Sequence, residues 1–297
     1  MPQVLDDSLL DAGGVVDPST PTPVPLDAGT EDAGARDAAL VEDASVEPRV
    51  FEAVRGQRCK YTEYIGSVRI VNDPLTFEGF TASAVLFDGP IELAPELATE
   101  RGACSFYQSP ATSCEEDCAA QQLGCGRNGT CGSWLPGWRE DVRLTLSNDV
   151  GSQILDASGG VMHPVMLEGA LSVRLEFDDY TVTLGPTPIP APLIGLHATF
   201  HGPEDARESA DVSWAEPADG QVLAFAILER GTPLDPFTEC VADGSALSFT
   251  IEKDVLEPFL TIGAFQANVV DHAHVAAANT PVGCIEIRYA HRHSFNP

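Results

Sequence analysis

The chain has 297 residues, 45 carboxylates against 16 basic side chains, and a formal net charge of −29. Such a surface repels phosphate backbones and anionic lipid, which excludes nucleic acid and bare membrane as expected partners, although Ca²⁺ could gather on it. No apolar run reaches the roughly eighteen residues that a membrane-crossing helix needs, so no transmembrane segment is expected.

Residues 1–50 read as a disordered acidic spacer. Asp11-Ala12-Gly13, Asp27-Ala28-Gly29 and Asp32-Ala33-Gly34 repeat one theme, varied at Asp37-Ala38-Ala39 and Asp43-Ala44-Ser45. Pro18, Pro21, Pro23 and Pro25 lie between the repeats. Eleven carboxylates, one arginine and no aromatic residue occur up to position 48, so this stretch holds −10 of the charge and −19 stays on the body. A chain of this kind buries too little apolar surface to offset its ordering entropy, and like charges extend it. No signal peptide is visible: Met1 leads straight into polar sequence, and an export signal is expected to lie outside this sequence.

The body, about 250 residues long, has room for two ordinary domains or one large β-domain. Its eight cysteines are Cys59, Cys104, Cys114, Cys118, Cys125, Cys131, Cys240 and Cys284. An even number beside an exterior-type linker reads as a disulfide framework rather than as reduced thiols. Turn signals stand at Asn72-Asp73-Pro74 and Asp88-Gly89-Pro90. The first domain is expected over 51–190, with a Cys-rich insertion at 104–131. Within it, Ser113 and Glu116 make a capping box and Gly124 a stop, which predicts a short helix with Cys114 and Cys118 on one face.

Further on the pattern has period two. Val142, Leu144 and Leu146 alternate with polar residues, as do Leu171, Val173, Leu175 and Phe177, then Tyr180, Val182 and Leu184. Leu247, Phe249 and Ile251 repeat it, and so do Ile285, Ile287 and Tyr289, with Glu286 and Arg288 between them. Such alternation predicts half-buried strands with one wet face, and the frequent turns argue for β-sandwiches of Ig-like type. The proline-rich run from Gly185 to Pro192 is the expected domain boundary; an edge crossing within one domain is the alternative. The second unit, 191–297, then holds only Cys240 and Cys284, which are expected to pair with each other.

Here the chain resembles a known group. Cys240-Val241-Ala242-Asp243-Gly244, then Leu247-Ser248-Phe249-Thr250-Ile251, downstream of Val212-Ser213-Trp214, is similar to a β-sandwich of predicted surface lipoproteins of myxobacterial type. The Asp-Ala-Gly spacer, the stretch from Phe80 to Phe87 and Gly102-Ala103-Cys104 share the likeness. The resemblance implies sandwich domains at the cell exterior. It implies no activity, since none is established for that group.

Three features bear on chemistry. The spacing Cys114-x3-Cys118-x6-Cys125-x5-Cys131 suits structural disulfides better than the paired ligands of a zinc site. His272, His274, His291 and His293 form two imidazole pairs that could take Zn²⁺ or Cu²⁺. If residues 276–281 are the turn of a hairpin, however, His291 lies about six residues from His272 along the ladder, roughly 20 Å at 3.3 Å per residue. Solvated histidines are then the plainer reading. Trp134 and Trp138 could form an aromatic platform for a sugar or peptide, or pack over the disulfides. No nucleophile elbow, zinc-protease motif or phosphate-cradling loop occurs.

The sequence therefore predicts a mostly β, non-enzymatic, extracytoplasmic surface protein: two disulfide-braced sandwich units on an acidic stalk. It would serve recognition, adhesion or envelope scaffolding, with a cell-surface or extracellular protein or glycan as partner and no cofactor. A secreted hydrolase with an unrecognised site and a metal-handling protein using the late histidines are the alternatives.

Overall fold

The computed structural model describes residues 48–73, 79–90, 96–108, 124–125, 131–132, 137–157, 160–202, 208–227, 237–255 and 267–295. The spacer up to residue 47, the helix expected from 113 to 123, Cys114, Cys118 and Trp134 lie outside them.

In chain order the strands are β1 (Arg49–Glu52), β2 (Val54–Arg55), β3 (Tyr64–Asn72), β4 (Phe80–Leu86), β5 (Glu96–Arg101), β6 (Cys104–Gln108), β7 (Gly124–Cys125) and β8 (Cys131–Gly132). There follow β9 (Arg143–Ser147), β10 (Ser152–Asp156), β11 (His163–Pro164), β12 (Leu171–Phe177), β13 (Tyr180–Thr187), β14 (His197–His201) and β15 (Ser209–Ser213). The last are β16 (Gln221–Ile227), β17 (Phe237–Asp243), β18 (Ser248–Glu252), β19 (Ala267–Thr280) and β20 (Gly283–Phe295). The body is mostly β, and each alternating segment read from the sequence forms a strand: β9, β12, β13, β18 and β20.

One ten-stranded sheet organises the molecule. Its path is β11-β4-β3-β20-β19-β16-β17-β6-β5, with β2 added beside β19. A five-stranded sheet, β1-β13-β12-β9-β10, and a three-stranded sheet, β14-β15-β18, complete two sandwiches on it. The larger core joins Leu144, Leu146, Leu175 and Val182 to Val68, Ile70, Ala276, Ile285, Ile287 and Tyr289. The smaller joins Val212, Trp214, Phe249 and Ile251 to Val222, Ala224, Cys240 and Val270. Burying each large aliphatic side chain contributes about 1.5–3 kcal/mol, so both halves have an apolar driving force.

This architecture corrects the domain boundary. Val46–Pro297 is one compact unit, and strands from both expected domains interleave in one sheet. The C-terminal β20 lies parallel beside β3, while β6 pairs with β17. Gly185 to Thr187 still belong to β13, and the prolines beyond cross from one sandwich to the other. That was the alternative reading of the run.

The disulfide framework is present, but the pairing expected within it fails with the boundary. Cys240 and Cys284 do not pair with each other: Cys240 is bonded to Cys104 and Cys284 to Cys59, across sequence separations of 136 and 225. That pairing requires a self-contained C-terminal domain, whereas each half of the chain lends strands to the other. Cys125 stands in register with Cys131 between β7 and β8, and Cys131 is also disulfide-bonded.

The last hairpin corrects a third expectation. Its turn is Pro281-Val282, not 276–281, because Ala276, Ala277 and Ala278 are strand residues, all buried. A strand covered on both faces loses its alternation, so the alanine run looked like a loop.

Candidate functional site

The long hairpin β19–β20 places chemistry-bearing side chains on both faces of the shared sheet. With the turn at residues 281–282, His272 stands directly opposite His291, Val270 opposite His293 and His274 opposite Tyr289. The separation expected from the sequence is thus overturned: the four histidines gather at mid-hairpin. Toward the turn, Ala276, Ile287 and Tyr289 enter the larger core. Toward the open end, Val270 enters the smaller one. The histidines occupy the seam between.

His272 is almost wholly buried. Its Nδ1 lies 2.5 Å from the carbonyl oxygen of Ala191, and its Nε2 meets the carbonyl oxygen of Asp219. One imidazole thus ties the proline-rich crossing to the turn between β15 and β16. Gly220 permits this approach: it has φ +92°, and a Cβ there would stand 2.7 Å from the Ala273 carbonyl oxygen and 3.0 Å from His274 Nδ1. His293 accepts from the backbone N–H of Leu193 through Nε2 at 3.2 Å. His291 packs edge-on against Phe80 at 5.2 Å. It also borders a cavity of 340 Å³ walled by Phe80, Leu167, Glu168, Ile189 and Pro190.

Burial lowers the pKa of His274, His291 and His293 below the ordinary 6.5, because a half-buried imidazolium loses solvation. For His291, neighbouring His293 and His272 add to the effect. For His293, His272 adds to it and Asp271 opposes it. Among the described residues no group of three or more His, Cys, Asp or Glu could hold a metal ion. Both nitrogens of His272 and Nε2 of His293 engage backbone.

The opposite face carries a ladder of charges where the alternation predicts a wet surface. Arg58 meets Glu239 at 2.6 Å and Glu286 at 3.4 Å. Arg288 contacts Glu286 at 2.6 Å and Asp271 at 3.7 Å. Arg292 binds Asp271 through two nitrogens at 2.9 and 3.1 Å, and reaches Asp73 at 3.8 Å. Glu239, Asp271, Glu286 and Arg288 are all buried. Burial works against the Arg58 charge, but Glu239 and Glu286 outweigh it and hold the guanidinium above its ordinary range. Likewise burial would raise the Glu286 carboxyl, yet Arg288 and Arg58 keep it below 4.5. Tyr61 donates to Glu239 at 3.2 Å, and burial, then Glu239, push its phenol well above 10.0. Four carboxylates and three guanidiniums thus come together from β17, β19 and β20, from Asp73 just past β3, and from Arg58 in the 56–63 segment. Only the spacing of Glu286, Arg288 and Arg292 signals it in the sequence, and alternation alone cannot say which polar face is covered.

Trp138 is 47% exposed and stacks edge-on to Phe87 at 6.2 Å. The indole of Trp214 is buried and donates to the Gly244 carbonyl at 2.8 Å.

No protein-family model matches the chain, and no curated protein matches it. Among solved structures it is similar to the FN1–FN3 domains of chicken CNTN1, at 7% identity and a TM-score of 0.17, over 72% of this chain and 78% of that one. At that score the likeness assigns neither fold nor partner. Among the described residues no helix is long and apolar enough to cross a membrane.

Proposed function

We propose that this chain is a non-enzymatic, extracytoplasmic recognition or scaffolding module, carried on its acidic spacer and presenting its body to a protein or glycan of the cell exterior. The observation that carries this reading is the pair of long-range disulfides, Cys59–Cys284 and Cys104–Cys240. Each ties the N-terminal half to a strand of the C-terminal half within one sheet, and such bonds persist in oxidising compartments. The resemblance to surface lipoproteins of myxobacterial type and the strongly acidic surface support the same placement.

The test is labelling of intact producing cells with a membrane-impermeant amine reagent, followed by thiol alkylation and mass analysis of the recovered full chain. Labelled protein with no adduct before reduction and eight after it supports the reading. Unlabelled protein with free thiols places the chain inside the cell and overturns it. A turnover abolished by one substitution would overturn the non-enzymatic part.

A further inference from the structure

The seam joins two observations that the surface-module reading does not use. The crossing at 188–193 is held by hydrogen bonds to two histidines, through the Ala191 carbonyl and the Leu193 N–H. His272 faces a carbonyl oxygen with each ring nitrogen and is the fixed point of the crossing, whereas His293, with His291 and His274, forms a group that a further proton on each ring would fill with like charge. We propose that the seam is a pH-operated latch: near neutral pH it holds the crossing against the shared sheet at both Ala191 and Leu193, and acidification releases the Leu193 end from His293 while the Ala191 carbonyl stays on His272.

The steps follow from the geometry. Neutral His293 can accept from Leu193 only through an unprotonated Nε2; protonation turns that nitrogen into a donor facing a donor. His291, directly opposite His272, then gains a positive charge beside two other imidazoles. Burial lowers the affinity of His274, His291 and His293 for that proton, so releasing them into solvent is coupled to taking it up. The surroundings do little to compensate. The crossing itself, residues 188–193, carries no charged side chain. Asp219, from the turn between β15 and β16, favours protonated His274, while Arg55 from β2 opposes it. Asp271 acts on His293 through the sheet but is bound to Arg292 on the other face. Glu168 borders the cavity from the 167–170 loop and is exposed.

The latch predicts where the molecule opens first. Of residues 188–193 only Ile189, Ala191 and Leu193 carry backbone amides, so hydrogen exchange reads the crossing directly. In the full chain, after correction for intrinsic rates, protection at Leu193 should fall between pH 7.5 and 5.0, because its acceptor nitrogen becomes a donor. Amides of Ile285 and Ile287 in the larger core should keep theirs. The double variant His291→Gln with His293→Gln retains an acceptor for Leu193 but cannot charge, and its protection there should stay flat across the range. His291→Gln alone, a milder change, should weaken the pH response if the double variant fails to fold. Constant protection of Leu193 in the wild type would overturn the latch. So would equal, simultaneous loss at Leu193 and in the core, since that is global unfolding.

Discussion

On its outer face the β19–β20 hairpin buries carboxylates and guanidiniums that neutralise one another; on its inner face it buries imidazoles held by backbone groups. The outer ladder offsets desolvation by opposite charge, with Arg292 gripping Asp271 through two nitrogens. The inner seam avoids it by keeping histidines uncharged or tied to carbonyls. Each face also has a disulfide. Cys59–Cys284 flanks the ladder, since Cys59 follows Arg58 and Cys284 lies two residues from Glu286. Cys104–Cys240 sits inside the smaller core. The two faces therefore respond differently to each kind of perturbation: the outer to loss of a partner, the inner to a proton.

The largest effects should come from the disulfides. Closing separations of 225 and 136 residues restricts the unfolded chain by about 5 kcal/mol each in the chain-entropy model. Urea unfolding of C59S/C284S and C104S/C240S should show losses of that order. The first should be larger, because freeing Cys59 also frees Arg58 and leaves Glu239 and Glu286 buried with one cation fewer. A greater loss in C104S/C240S would mean that the ladder does not depend on the 56–63 segment.

Next in size is a direct contrast between the faces. Asp271→Asn strands Arg292 and Arg288 without their shared carboxylate, and breaking a buried pair in this way costs about 3–5 kcal/mol. His272→Gln removes one of two hydrogen bonds to backbone and should cost about 1 kcal/mol. Denaturant midpoints of the two variants at pH 7.5 read the difference. Equal losses would show that the ladder is no more tightly coupled than the seam.

That contrast was only partly legible in the sequence. Leu171 to Phe177 and Tyr180 to Leu184 alternate because one face of each strand meets the larger core, so β12 and β13 could be read directly. The hairpin could not, for two physical reasons. Its alanines are covered on both faces, and alanine has no strong preference for strands. Its charged residues obey the same period as a solvated face, and nothing local distinguishes Glu286, which is buried, from Glu176, which is only partly so. The four histidines are visible in the sequence, but a turn expected at 276–281 rather than 281–282 separates them. Register is the quantity that assembles this site, and a shift in the turn changes every cross-strand neighbour. The even cysteine count makes the disulfides themselves legible, but not their partners: pairing Cys240 with Cys284 by proximity in sequence fails where β3 and β20 lie side by side.

The smallest expected effect separates the faces by pH. His274, His291 and His293 bind protons less readily folded than unfolded, so above their ordinary value of 6.5 they make no difference. As pH falls below 6.5 the unfolded chain takes up protons first, and stability declines through the seam. Glu286 acts lower. Its depressed value means that the ladder's contribution is full above 4.5 and is lost as pH falls through the folded value. Asp211, held down by hydrogen bonds from Thr250 and His201, and Asp243, held down by Ser245, add to this second decline. Unfolding free energy measured from pH 8 to 3 should therefore fall in two stages. In the variant with His291→Gln and His293→Gln the upper stage should shrink while the lower one remains. A single decline confined below pH 4.5 would leave the outer ladder as the acid-sensitive face and remove the inner seam from that role.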